Sequence, residues 1–182
     1  FADELKYIAM SVFGLTYDQC FGTNEQKNTF TTIKWESMFS LLHANTVARL
    51  KRDGFDKEYM TGREFLQYFG TNVCRKLFNN CWINSCLSRI ANDVPDIAII
   101  DDCRFENEAD ECRKVGAKLI RFKRLLPNED DSHESEQEIP KMEDRYFNCN
   151  INNQEMTIVE KNQLILDSLY TWKFFERHIP QN

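Results

Sequence analysis

The chain has 182 residues, 42% hydrophobic and 29% charged, which fits a soluble globular protein of one domain with a sizeable core. A formal net charge of −6 argues against direct nucleic-acid binding through a broadly basic surface, and six glycines with four prolines argue against a linker-rich or disordered chain. Seven cysteines without a C-x-x-C pair argue against a zinc site or a disulfide framework and for reduced thiols in the cytoplasm, and neither a membrane-length apolar run nor a signal peptide is present.

The chain opens on Phe1 rather than Met, which suggests a processed product or a fragment of a longer one. Residues 1–14 predict a helix: Leu5, Ile8, Ala9, Val12 and Phe13 recur at helical spacing, and Gly14 is a stop signal. Residues 15–34 are polar without a clean period and read as loop or irregular structure. Residues 35–55 predict one amphipathic helix ending near Gly54, with Lys51 and Arg52 in the last turn, where the helix dipole favours cations. The stretch TGREFLQYFG opens on a capping box, Thr61 with Glu64. Phe65, Leu66 and Phe69 form its apolar face, and Gly70 is expected to end it. A helix over 81–91 follows, carrying Trp82, Ile83, Cys86, Leu87 and Ile90 on one side.

Pro95 introduces DIAII, an apolar run that suits a strand buried on both faces of a parallel sheet. Residues 106–115 read as a helix with Gly116 at a left-handed C-terminal cap, and KLIRFK reads as the next strand. Strand, helix and strand make a right-handed crossover with parallel strands. The acidic stretch 126–144 predicts a solvent-exposed loop, and YFNCNI a short strand. A second capping box, Thr157 with Glu160, opens a long terminal helix. The class is α/β, with helices on both faces of a mostly parallel sheet.

Ligands of open parallel sheets bind outside the carboxyl ends of the strands. Asp102 and Arg104 lie past one expected strand end and Arg124 past the next. Two guanidinium forks converging there would suit phosphate oxygens and the charge of a transferring phosphoryl group. Asp102 could hold an arginine, a sugar hydroxyl or a metal-bound water. The plainer reading is that these arginines are solvated or paired with Glu106, Glu108 or Asp131. Trp82 is either a core residue or a platform for stacking a base, and Gln67 either bonds a base through its amide or is half-exposed. The three histidines, 43, 133 and 178, are scattered and suggest no metal site, and no Gly-x-Ser-x-Gly elbow is present.

Taken in order, Arg63, Gln67, Gly70, Thr71, Trp82, Asp102, Arg104, Glu108 and Arg124 resemble the phage-type deoxynucleoside monophosphate kinase family. That family is described by R-x-x-x-Q-x-x-G-T, a downstream Trp, a strand running into D-x-R-x-x-x-E, and a following strand ending in Arg. The likeness covers most of 1–169 except the stretch around 29–56. It implies a P-loop kinase-like, three-layer α/β/α fold, and transfer of the ATP γ-phosphoryl group to a dNMP with Mg²⁺. It places Arg63, Gln67, Gly70, Thr71, Trp82, Asp102, Arg104 and Glu108 at the monophosphate, with Asp102, Arg104 and Arg124 in catalytic roles. It also implies a variable substrate-side insertion over 15–60, a lid-like acidic loop over 125–145, and a cytoplasmic enzyme able to act as a homodimer or in a larger assembly.

One departure stands out. The sequence has no Gly-Lys dipeptide, and glycines 14, 22, 54, 62, 70 and 116 are too dispersed for a phosphate-cradling loop. The first strand and P-loop are therefore expected to precede Phe1. The alternative is a non-catalytic kinase-fold relative that serves as a structural or protein-binding module.

Overall fold

The computed structural model describes residues 2–52, 57–123, 141–152, 154 and 156–176. These fall into two compact units, one holding the described residues of 1–94 and 100–103 and the other those of 95–99 and 104–176.

In the first unit, α1 (Ala2–Phe13) stops at Gly14, whose φ of +73° is a conformation that side chains disfavour. The stretch expected to be irregular instead forms α2 (Tyr17–Phe21), α3 (Asn24–Lys27) and β1 (Phe30–Lys34). Two capping boxes explain the short helices: Thr16 with Gln19, and Thr23 with Gln26, where glutamine takes the place more often held by glutamate. The single helix expected over 35–55 is broken into α4 (Trp35–Phe39) and α5 (Ala44–Arg52). The break lets Trp35, Met38 and Leu42 enter the core, while Lys51 and Arg52 do close the last turn of α5. β1 pairs antiparallel with β2 (Tyr59–Thr61).

From Thr61 the capping box forms as expected and starts α6 (Gly62–Gln67). Gly70 does not end this helix; the chain continues as a π-helix over Tyr68–Arg75. The helix α7 (Cys81–Asp93) matches the sequence expectation at its start and runs slightly longer. The core gathers Ala9, Cys20, Trp35, Met60, Phe65 and Tyr68 with their neighbours. Ring pairs fix its packing: Phe13 lies 4.9 Å from Phe65, and Trp35 meets Tyr68 edge-on at 5.0 Å.

In the second unit, α8 (Glu106–Lys114) ends with Gly116 at φ +84°, as expected. β3 (Ile120–Lys123) pairs in parallel with β4 (Cys149–Asn152), in the register Ile120 to Cys149 through Lys123 to Asn152. Buried Ala109, Cys112, Leu119, Met142 and Ile151 supply its apolar interior. A short 3₁₀ turn, Asp144–Tyr146, precedes β4, and α9 (Ile158–Thr171) begins at the expected box of Thr157 and Glu160.

The expected strand at DIAII is not formed. No residue of 96–104 lies in a strand, and Ile97 and Ile99 are 38% and 88% exposed. Apolar residues favour a strand only where a neighbouring ladder satisfies their backbone, and among the described residues none pairs with this run. The crossover predicted through α8 is accordingly absent, and the parallel partner of β3 is β4. The protein is mixed α/β, and among the described residues its sheets are two two-stranded pairs rather than one broad parallel sheet. No described helix is long and apolar enough to cross a membrane.

Candidate functional site

In the first unit, four of the candidate residues lie on one unbroken helical run. Arg63 sits in the first turn of α6, Gln67 ends it, and Gly70 and Thr71 belong to the π-helix. The start of this run is fixed twice over. Thr61 accepts from the Glu64 amide at 3.2 Å, and Glu64 returns to the Thr61 amide at 2.8 Å while its other oxygen takes Lys57 at 2.6 Å. Arg63 donates to Asn24 Oδ1 at 2.7 Å, tying α6 to α3.

Gly70 has two structural reasons to lack a side chain and to stay in place. A Cβ there would lie 2.6 Å from Leu5 Cδ2, and its carbonyl accepts a hydrogen bond from Trp82 Nε1 at 3.1 Å. That bond joins the half-buried indole of α7 to the π-helix, so Trp82 is not a wholly buried core residue. Thr71 is buried. Asp102 is half-buried and belongs to the same unit as these residues.

In the second unit, Arg104 and Glu108 meet at the start of α8. The Glu108 carboxylate, 3% exposed, accepts from the backbone N–H of Arg104 at 2.9 Å and of Phe105 at 3.1 Å. A buried carboxylate facing amides at a helix start is favoured by the helix dipole. Glu108 therefore fixes the backbone from which the Arg104 side chain departs. Of the other suggested partners, Glu106 accepts from the Tyr146 hydroxyl at 2.6 Å. Arg124, Asp131 and most of the acidic stretch 126–144 lie outside the described residues.

Next along the second unit, Arg121 donates to the Met142 carbonyl at 2.8 Å and to Asp144 at 3.1 Å, and Lys123 reaches Asp144 at 2.7 Å. The hydrogen bond from Lys123, with the charges of Lys123 and Arg121, holds the Asp144 carboxyl below the usual carboxylate range. In the first unit, burial and then the neighbouring Cys81 push the Cys74 thiol up to about 11.

Two polar residues were missed by the sequence reading: Asn72 and Arg75, both 8% exposed, on the π-helix. The spacing Arg63, Gln67, Thr71, Arg75 carries a signal for the second; nothing in the sequence announces the π winding. Among the described residues no group of three or more His, Cys, Asp or Glu side chains could hold a metal ion. The described glycines stand singly, so these residues do not fit a cradle for the phosphates of ATP or an all-protein cage for Mg²⁺.

A model of the deoxynucleotide monophosphate kinase family matches residues 3–162. A protein of Acanthamoeba polyphaga mimivirus, whose name proposes a deoxynucleotide monophosphate kinase, is 28% identical over 154 residues, 76% of this chain and 66% of its own length. The deoxynucleoside-5′-monophosphate kinase of Escherichia phage T5 is 35% identical over 70 residues, 38% of this chain and 28% of its own length. The chain thus spans under two thirds of each of these relatives. No solved structure matches.

Proposed function

Because the chain belongs to the deoxynucleotide monophosphate kinase family, we propose that it acts in transferring the γ-phosphoryl group of ATP to a deoxynucleoside monophosphate, giving the diphosphate. The observation that carries the reading is the span of the family match: it includes every candidate residue from Arg63 to Arg124. The finer parts of the proposal are a P-loop kinase-like fold, a cytoplasmic setting, a substrate-side insertion over 15–60 and a lid over 125–145.

What this chain supplies is the acceptor side. Arg104 binds the monophosphate: a guanidinium fork matches two phosphate oxygens, and the Glu108 carboxylate keeps its backbone in place. Asp102 accepts a hydrogen bond from the acceptor and orients it. The row from Arg63 to Thr71, with Trp82 tied to Gly70, receives the nucleoside, with Gln67 toward the base and the indole face beside it. Arg124 meets charge that develops during transfer. Mg²⁺ and ATP would bring the donor phosphoryl group and its charge compensation.

The test is a coupled ADP assay on the protein made from its complete natural reading frame, with each of the four dNMPs. Arg104→Ala should abolish dNMP-dependent ADP formation with the fold intact; unchanged turnover would remove Arg104 from the site. Asp102→Asn should weaken dNMP binding more than ATP binding, and the opposite order would move Asp102 to the metal. Saturable dNMP binding without turnover would select a non-catalytic relative.

A further inference from the structure

The half-buried Arg63 is held by a neutral partner. Its Nη2 donates to Asn24 Oδ1 at 2.7 Å, and among the described residues no carboxylate pairs with it. A guanidinium carries five N–H donors arranged as two forks that share Nη2, one of whose hydrogens points into each fork. Whichever hydrogen Asn24 takes, the other fork stays complete. A carboxylate in the same place would cancel the arginine's charge. The carboxamide orients the guanidinium and leaves that charge whole.

The mount is firm. Asn24 is the first residue of α3, and the Thr23–Gln26 box sets that turn through bonds of 2.7 and 3.3 Å in its two directions. The chain leaving α3 returns to α6, where the Gly62 amide donates to the Thr29 carbonyl at 3.2 Å. Gly62 also lies so close to Gln19 and Lys27 that a Cβ would meet them at 2.8 and 3.2 Å. Arg63 is the next residue, so both ends of its bond to Asn24 sit on elements already clamped together by main-chain contacts. With the clamp in place, the side-chain bond adds little to the fold and much to the direction of the guanidinium. A charged group held by a fixed neighbour loses less freedom when a ligand arrives.

We infer that Asn24 is a positioning residue for the acceptor nucleotide: it aims the Arg63 guanidinium, with one fork open and its charge uncancelled, at the deoxynucleoside monophosphate. The inference rests on the acceptor reading proposed above, which places Arg63 at that ligand. Asn24 and Arg63 both belong to the first unit.

The test is calorimetric titration of the protein of the complete natural reading frame with each of the four dNMPs. Asn24→Ala should weaken dNMP binding about threefold to tenfold, the effect of one hydrogen bond, and should add nothing further once Arg63 is also replaced by alanine. Asn24→Asp separates positioning from packing. It keeps an acceptor of the same shape and adds an ion pair at a helix start, so the melting temperature should hold or rise. It also cancels the charge offered to the ligand, so dNMP affinity should fall on the order of tenfold. A role confined to the fold predicts instead that affinity follows the melting temperature in every variant. That result, or unchanged affinity in both Asn24 variants while Arg63→Ala weakens binding, overturns the assignment of Asn24 alone. If Arg63→Ala binds as wild type does, or wild type binds no dNMP, the acceptor reading of Arg63 fails and the inference with it.

Discussion

Gly62 is the position at which the α6 run presses hardest on its neighbours. A Cβ built there would lie 2.8 Å from both Cβ and the backbone oxygen of Gln19 and 3.2 Å from the backbone oxygen of Lys27, and the Gly62 amide already donates to the Thr29 carbonyl at 3.2 Å. Two of the three opposing atoms are main-chain, and Gln19 is itself held by the Thr16 box and by its bond to the Phe30 carbonyl at 2.9 Å. Relief therefore requires α6 to move away from α2, and Arg63 moves with it. Overpacking of this kind costs about 2–3 kcal/mol, against a helix-propensity gain of up to about 1 kcal/mol for alanine. The net loss of about 2 kcal/mol in Gly62→Ala should lower the melting temperature by roughly 4–8 °C in a chain of this size. Gly70→Ala is the control, because its Cβ would meet only a Leu5 side chain, at 2.6 Å from one methyl and 3.7 Å from the next atoms. It should lose less. The measurement is thermal unfolding by circular dichroism of both variants. A Gly62→Ala protein that melts with wild type, or above Gly70→Ala, would refute the close approach of α6 to α2.

Glu108→Ala should cost about 1–3 kcal/mol, because it leaves two amides at a buried helix start without an acceptor; urea unfolding reads the loss, and Glu108→Gln, which keeps one acceptor oxygen, should recover part of it. Asp144 titrates below the ordinary carboxylate range, so its ion pairs with Lys123 and Arg121 stabilise above that range and are lost as pH falls through its lowered pKa. Wild type should therefore exceed Asp144→Asn in urea midpoint at pH 7, with the gap closing below about pH 4; a gap constant with pH would contradict the assigned ion pairs. Cys74, pushed up to about 11, should resist alkylation at pH 8, and peptide-level labelling should show it reacting far more slowly than free cysteine.

Local chemistry was legible in the sequence at several places where a short-range rule decides the structure. The boxes at Thr61 and Thr157, the stop at Gly14 and the cap at Gly116 follow from neighbours in the chain, and the strands expected at 118–123 and 146–151 form over the shorter or shifted spans 120–123 and 149–152. Two local signals were missed, the boxes of Thr16 with Gln19 and Thr23 with Gln26, and the other failures involve partners distant in sequence. DIAII has the composition of a buried strand, but a strand needs a ladder, and none of the described residues provides one. Gly70 resembles a helix terminator. Its role is to let the π-helix approach Leu5 and to present a carbonyl to Trp82, neither of which is visible from the residues beside it. Glu108 was read as a residue facing the substrate, and the structure places its carboxylate on the amides of Arg104 and Phe105.

The central claim is that this chain provides the acceptor side of a deoxynucleotide monophosphate kinase. It is tested most directly by following ADP formation from ATP and Mg²⁺ by the protein of the complete natural reading frame, with and without each dNMP. The account predicts turnover that appears only when a dNMP is added and disappears in Arg104→Ala. A folded protein that forms no ADP with any of the four dNMPs, and binds none of them, would contradict it.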